Sequence, residues 1–267
     1  MQQINRALSF AKFVLVSCLL TSFSAQAETP EEKGLRIAQE RKASDQGWGN
    51  SESHTLMILR NASGDESVRE MRIRALEVSG DGDKGLTIFD KPRDVAGTLF
   101  LNHSHINEAD DQWLYLPALK RIKRIASRNK SGPFMGSEFS YEDLVSFEVE
   151  KFTYKFLREE DYQVFKTDVV ESIPTDKYSG YSRQISWIDQ KHARVHKIEF
   201  YDRKNALLKT LTFSDYKLYK NKFWRAHLSK MVNHQTGKST DLVTEQISFD
   251  VGLDEADFAR NALLRIR

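Results

Sequence analysis

Lys120, Arg121, Lys123, Arg124, Arg128 and Lys130 place six cations in a short window, and Phe134, Met135 and Phe139 follow in a loop opened by Gly132-Pro133. A dense cationic run suits lipid phosphates or an acidic protein, and each cation near an anionic membrane surface is worth about 1 kcal/mol. The apolar loop beside it suits hydrocarbon. Trp113, Leu114, Tyr115 and Leu116, just upstream, put β-formers on both faces of one strand, as expected where a sheet is covered on both sides. Ser140 with Asp143 forms a capping box that opens a short helix. The whole stretch, residues 111–144, reads as a surface with one greasy side and one side for acid.

Other constellations carry less chemistry. His192 and His196 are four apart, a spacing that lets two imidazoles share a metal on a helix, but Arg194, Val195, Ile198 and Phe200 set them in alternating strand sequence. At strand rise the two lie about 13–14 Å apart, too far for one ion. His103 and His105 flank Ser104 on one face without an evident third ligand. Glu138, Glu142 and Asp143 are acids at a helix start, where the dipole favours them. The chain holds no G-x-S-x-G elbow and no G-x-x-x-x-G-K-S/T phosphate loop. The expectation is a protein that is not an enzyme, with no metal and no cofactor.

The amino terminus points to export. Arg6 and Lys12 precede an apolar run at residues 13–20, and Ala25-Gln26-Ala27 supplies the small residues of a cleavage site, so residues 1–27 read as a signal peptide cut after Ala27. The run is well short of the roughly twenty apolar residues that span a bilayer. Cys18, the single cysteine, follows Leu15-Val16-Ser17 in the manner of a lipidation site, the competing reading of this segment. Cleavage at Ala27 removes it, and with it any disulfide or thiol chemistry. The precursor has 40 Lys+Arg against 38 Asp+Glu; Arg6 and Lys12 leave with the leader and no acid does, giving 38 against 38. That balance does not support global attraction to nucleic acid.

These residues need a scaffold, and residues 28–267 read as one domain able to bury a sizeable core. Thr29-Pro30-Glu31-Glu32 starts a helix with Thr29 as cap and Pro30 at the first position; Leu35, Ile37, Ala38 and the Arg41 stem give it a thin apolar stripe that lies against the body. From Ser53 the pattern alternates, with turns at residues 61–65, 80–83, 202–206 and 234–238. Around ten or eleven successive strands with few helices predict one large curved antiparallel sheet or barrel. A short element led by Asp254 and packed through Phe258 closes the chain.

W-L-Y-L-P-A-L-K-R-I-K-R-I at residues 113–125, followed by G-S-E-F-S-Y-E-D-L, resembles the periplasmic outer-membrane lipoprotein-sorting family, in a LolA-like branch met beside RND-type transporters. Single matches continue in order through Ile198-Glu199-Phe200-Tyr201-Asp202, Leu207-Leu208-Lys209, Trp224, Met231, Thr240, Phe249 and Phe258, so the resemblance spans residues 51–264. It implies an α+β, mainly β fold: an incomplete β-barrel with a helical lid. It further implies a monomeric periplasmic carrier that takes a lipid, or the acyl chains of a lipoprotein, and delivers it toward the outer membrane. The alternative it leaves open is a ligand-sensing envelope regulator or an accessory subunit of an RND-type transporter. Trp113, Tyr115, Phe134, Met135 and Phe139 are then expected to bind cargo, and the six cations from Lys120 to Lys130 to bind head groups or a partner.

Overall fold

Period-two alternation over most of the chain produces strands, and short turns between them make consecutive strands antiparallel neighbours. The computed structural model describes residues 27–266. The leader, including Cys18, lies outside the described residues apart from Ala27. A helix, α1 (Pro30–Ser44), comes first; the strands are β1 (Asn50–Arg60), β2 (Glu66–Leu76), β3 (Lys84–Lys91), β4 (Leu99–His103), β5 (Asp111–Leu116), β6 (Arg121–Ile125), β7 (Phe152–Tyr162), β8 (Phe165–Pro174), β9 (Tyr181–Asp189), β10 (Val195–Asp202), β11 (Leu207–Tyr219), β12 (Phe223–Asn233) and β13 (Ser239–Phe249). They form a single 13-stranded sheet in the order β6-β5-β4-β3-β2-β1-β13-β12-β11-β10-β9-β8-β7.

The chain therefore enters at the middle of the sheet, meanders outward to β6, crosses over as residues 126–151, restarts at the opposite edge with β7, and returns to pair β13 with β1. Strands β6 and β7 do not pair, so the sheet stays open instead of closing into a barrel. The side on which the crossing segment and α1 lie is the inner face. Among the described residues there are thirteen strands, not ten or eleven, and the cationic stretch Arg121–Ile125 is itself the edge strand β6. The cover on the inner face differs from a set of lid helices. It consists of α1 and a crossing segment made of irregular chain and short 3-10 turns.

α1 starts as its sequence dictates. Glu32 N–H donates to Thr29 Oγ1 (3.2 Å), Thr29 N–H donates to Glu32 Oε2 (2.8 Å), and Pro30 holds the first position. Gly34 sits in the helix interior, where glycine weakens a helix by about 1 kcal/mol relative to alanine. Its lack of a side chain has a use: a Cβ there would come within 2.8–2.9 Å of the backbone of Lys155 and Phe156. The helix can thus lie directly on β7 and cover an edge strand that would otherwise be exposed.

The outer face is closed at one end by the carboxy-terminal turns. Asp254 caps the turn Glu255–Phe258, and Phe258 and Leu263 pack with Leu86, Ile88, Leu99 and Leu101, joined by Trp113, Tyr115 and Ile122.

Candidate ligand cavity

The crossing segment controls the inner face, and polar contacts fix its path. Pro133 and Ser140 form a bridge that folds residues 133–140 into a tight loop, with Phe134 N–H donating to Phe139 O (2.7 Å) and Ser137 N–H to Phe134 O (2.9 Å). Met135 and Gly136 at the tip both have positive φ (51° and 77°), which glycine tolerates and methionine adopts at some cost. Beyond the loop, Asp143 gathers four donors: Ser140 N–H (2.7 Å), Ser140 Oγ (2.8 Å), Tyr181 Oη (2.7 Å) and Lys209 Nζ (2.6 Å). The Lys209 and Asp143 side chains are 5% and 3% exposed, so this is a buried ion pair that ties the segment to β9 and β11. Burial and the neighbouring carboxylates push the Tyr181 phenol above its ordinary pKa. Glu142 accepts from Gly180 N–H and Ser179 Oγ, both at 2.8 Å. Burial raises its pKa, with those two hydrogen bonds working against the shift.

A cavity of about 600 Å³ lies between this segment and the inner face of β7 to β11. Val170, Ile188, Ile198, Phe200 and Leu211 make its floor. Ala38 of α1 and Phe147 of the crossing segment face them, and the exposed residues Asn107, Glu108, Ala109, Glu150, Thr175 and Tyr178 rim it. Its size falls in the range of about 300–1,000 Å³ common to small-molecule sites, which are likewise apolar with a few placed polar groups. Ser172, Gln184 and Ser186 supply polar groups on the wall. A second hollow of about 880 Å³ adjoins it and is lined by charged residues, among them Lys42, Asp45, Glu77, Asp83, Arg194 and Arg225. Arg41, Ile106, Ser146, Phe147 and Phe213 border both.

The structure separates the residues expected to bind cargo. Trp113 and Tyr115 pack on the outer face against the carboxy-terminal turns, because alternation along β5 sends Leu114 and Leu116 inward and the two aromatics outward. They do not border the cavity. Phe134 is 1% exposed and fills the inner face of the β1–β6 half, with ring centroids 5.0 Å from Phe100, 5.6 Å from Tyr141 and 5.9 Å from Phe89. Met135 packs at the edge of the same cluster. Phe139, 3% exposed, belongs to the cluster behind the cavity without lining it. All three are core contacts.

The cations also divide. Lys130 pairs with Asp176 (2.6 Å) and borders the cavity; Arg124 pairs with Asp111 (2.5 Å). Lys120, Arg121, Lys123 and Arg128 are exposed, and among the described residues they form no ion pair. On an edge strand such side chains also discourage pairing with other chains. The histidines are structural contacts. His192 lies in a turn before β10 against Trp224, His196 meets the Asp189 carboxylate at 3.0 Å, and His105 meets Asp81 at 2.7 Å. Among the described residues no group of three His, Cys, Asp or Glu side chains is placed to hold a metal.

The residues that floor the cavity are spread over four strands, β8 to β11, and escape a linear reading. Alternation marks Ile198 and Phe200 as sharing a face, but only the sheet order brings them beside Val170 and Ile188. Arg41 carried a weak signal, as the aliphatic stem of a helical stripe.

A family described as an uncharacterized protein matches residues 81–265. No curated protein matches the chain. Among solved structures, a DUF1329 family protein from Desulfovibrio piger is 27% identical with a TM-score of 0.83, covering 88% of this chain and 99% of that one. A LolA superfamily protein from Nitrosomonas europaea, 16% identical over 86% of this chain and 98% of its own, shares the fold with a TM-score of 0.69. A domain from Vibrio parahaemolyticus named for outer membrane lipoprotein sorting is 63% identical, with a TM-score of 0.87, over 88% of this chain and 100% of that one. At that identity and coverage, the chain belongs to the family of that outer membrane lipoprotein-sorting domain.

Proposed function

We propose that the protein is a non-catalytic periplasmic carrier that takes a lipid, or the acyl chains of a lipoprotein, into the cavity under the crossing segment and delivers it toward the outer membrane. The observation that carries this reading is the hollow of about 600 Å³ floored by Val170, Ile188, Ile198, Phe200 and Leu211. Apolar walls around an unfilled space are unfavourable in water, and hydrocarbon relieves that: each buried methylene contributes about 0.8 kcal/mol. The 63% identical relative named for lipoprotein sorting supports the cargo class. Export through a leader cut after Ala27 and action as a single-domain monomer over residues 28–267 complete the proposal.

Mature protein purified without detergent and extracted with organic solvent is expected to release acyl-chain lipid detectable by mass spectrometry. An extract free of acyl chains, together with no saturable uptake of added lipid, would remove the carrier reading. The alternative, a ligand-sensing regulator or an accessory subunit of an RND-type transporter, predicts a co-purifying protein in place of lipid.

The exposed Lys120, Arg121, Lys123 and Arg128 offer a docking face for anionic head groups or an acidic partner. Charge reversal at Lys120 and Lys123 is expected to lower co-sedimentation with anionic vesicles without changing the unfolding midpoint. Unchanged sedimentation would dismiss that role.

A further inference from the structure

Arg41 lies in the last turn of α1, where the helix dipole favours a cation, but the dipole does not account for where its side chain goes. The guanidinium sits 3.9 Å above the centre of the Phe147 ring, at the boundary shared by the two hollows. Surrounding protein desolvates it and lowers its pKa from the ordinary arginine value. Its neighbours are committed elsewhere. Lys42 pairs with Glu148 (2.9 Å), Arg194 with Asp189 (2.6 Å), Arg225 with Asp45 (2.6 Å), Lys130 with Asp176 (2.6 Å) and Lys151 with Asp110, while Lys222 donates to Gln46 O. Of the cations bordering these hollows, Arg41 alone has neither an ion pair nor a side-chain hydrogen bond among the described residues. The side chain is half-buried and opens onto both hollows, and the free donors of a guanidinium form a planar fork that matches two oxygens of a carboxylate or phosphate.

Resting on the carrier reading, we propose that Arg41 binds the anionic group of an amphiphile whose hydrocarbon occupies the floor formed by Val170, Ile188, Ile198, Phe200 and Leu211. The cargo class is thereby narrowed to acyl lipids with a carboxylate or phosphate close to the chain. An acylated glyceride anchor, whose ester groups carry no charge, leaves Arg41 without a partner and is the poorer fit. The Phe147 ring beneath the guanidinium keeps its orientation while the chain enters.

The test compares charged and neutral forms of one chain on the mature protein at neutral pH. The four probes are palmitate, methyl palmitate, palmitoyl glycerol phosphate and monopalmitoylglycerol, each read by displacement of a polarity-sensitive fluorescent probe. The wild-type protein is expected to bind the charged member of a pair about tenfold or more tightly, the order set by one charge-assisted hydrogen-bonded pair. Arg41→Gln collapses that ratio and Arg41→Lys retains part of it. A preference in the carboxylate pair alone assigns the site to fatty acids, and in the phosphate pair alone to phospholipids; either upholds the proposal. Equal affinities within both pairs in the wild type, or an undiminished ratio in Arg41→Gln, overturn it while leaving the carrier reading in place. Absence of saturable binding for all four probes overturns the carrier reading instead. The wild-type ratio decides the matter even if the glutamine variant fails to fold.

Discussion

On the β1–β6 half of the inner face, Phe134 descends from the crossing segment into a cluster with Met57, Met71, Phe89 and Phe100 and fills the middle of that half; on the β7–β11 part, the same segment roofs a hollow of about 600 Å³ with an aliphatic and aromatic floor. Both regions are built from the same alternating strands and carry similar aliphatic and aromatic side chains. They differ in what the crossing segment presents: a phenylalanine aimed inward on one side, and on the other a stretch held at a distance by Asp143–Lys209 and by Glu142 on Ser179 and Gly180. The comparison teaches that the cavity is not a packing defect. Polar anchors hold the cover off one part of the sheet, while an aromatic plug seals the other.

Substitutions can break this comparison in a graded way. Phe134→Ala opens a void in the sealed half and is expected to lower stability by about 4 kcal/mol, measured by urea unfolding. A loss under 1 kcal/mol would mean the plug is not packed as described. Lys209→Ala strands Asp143 as a buried carboxylate with only Tyr181 and Ser140 as donors. It is expected to cost about 3 kcal/mol and to make residues 126–151 more susceptible to proteolysis. Leu211→Ala, which borders space that is already empty, should cost less than the plug deletion, about 2 kcal/mol, because most of the added space merges with the existing hollow and only the transfer contribution remains. Equal losses for Phe134→Ala and Leu211→Ala would erase the distinction between the halves.

The smallest effect concerns the join between the two regions. Asp83, in the β2–β3 connection, donates its N–H to Ser146 Oγ of the crossing segment (3.3 Å), and burial raises its carboxyl pKa to about 6. A carboxyl whose folded pKa exceeds its unfolded value binds the proton more tightly when folded. Its contribution therefore turns unfavourable as pH rises from about 4 through that folded value. Asp83→Asn is expected to stabilise the protein at pH above this window by about 1 kcal/mol, a figure reduced for partial solvent access, with the gain vanishing at acid pH. A gain that is the same at acid and neutral pH would show that Asp83 is not the titrating group.

Much of the scaffold could be read from local sequence. Thr29-Pro30-Glu31-Glu32 located α1, and the strands at Tyr181–Asp189, Phe223–Asn233 and Ser239–Phe249 follow from alternation bounded by turn residues. Strand β6 was obscured because an edge strand has one neighbour and tolerates charges that suggest solvent. The site was less legible for a related reason. Period two shows that Trp113 and Tyr115 share a face opposite Leu114 and Leu116, but not which face is hollow. Gly132, Pro133 and Gly136 mark residues 132–140 as a surface loop, yet the long crossover carries that loop across the sheet and buries Phe134 and Phe139. The cavity floor joins β8 to β11, consecutive strands whose adjacency the short turns dictate, but which of their two faces the crossing segment roofs is not marked in the sequence.

The most direct test of the account is a titration with a fluorescent acyl probe of the wild-type protein and of Ile198→Trp, which fills the hollow from its floor, after unfolding curves confirm that both are folded. Saturable binding by the wild type and its loss in Ile198→Trp is the predicted result. Probe binding by Ile198→Trp with wild-type affinity would contradict the claim that the β7–β11 hollow receives hydrocarbon.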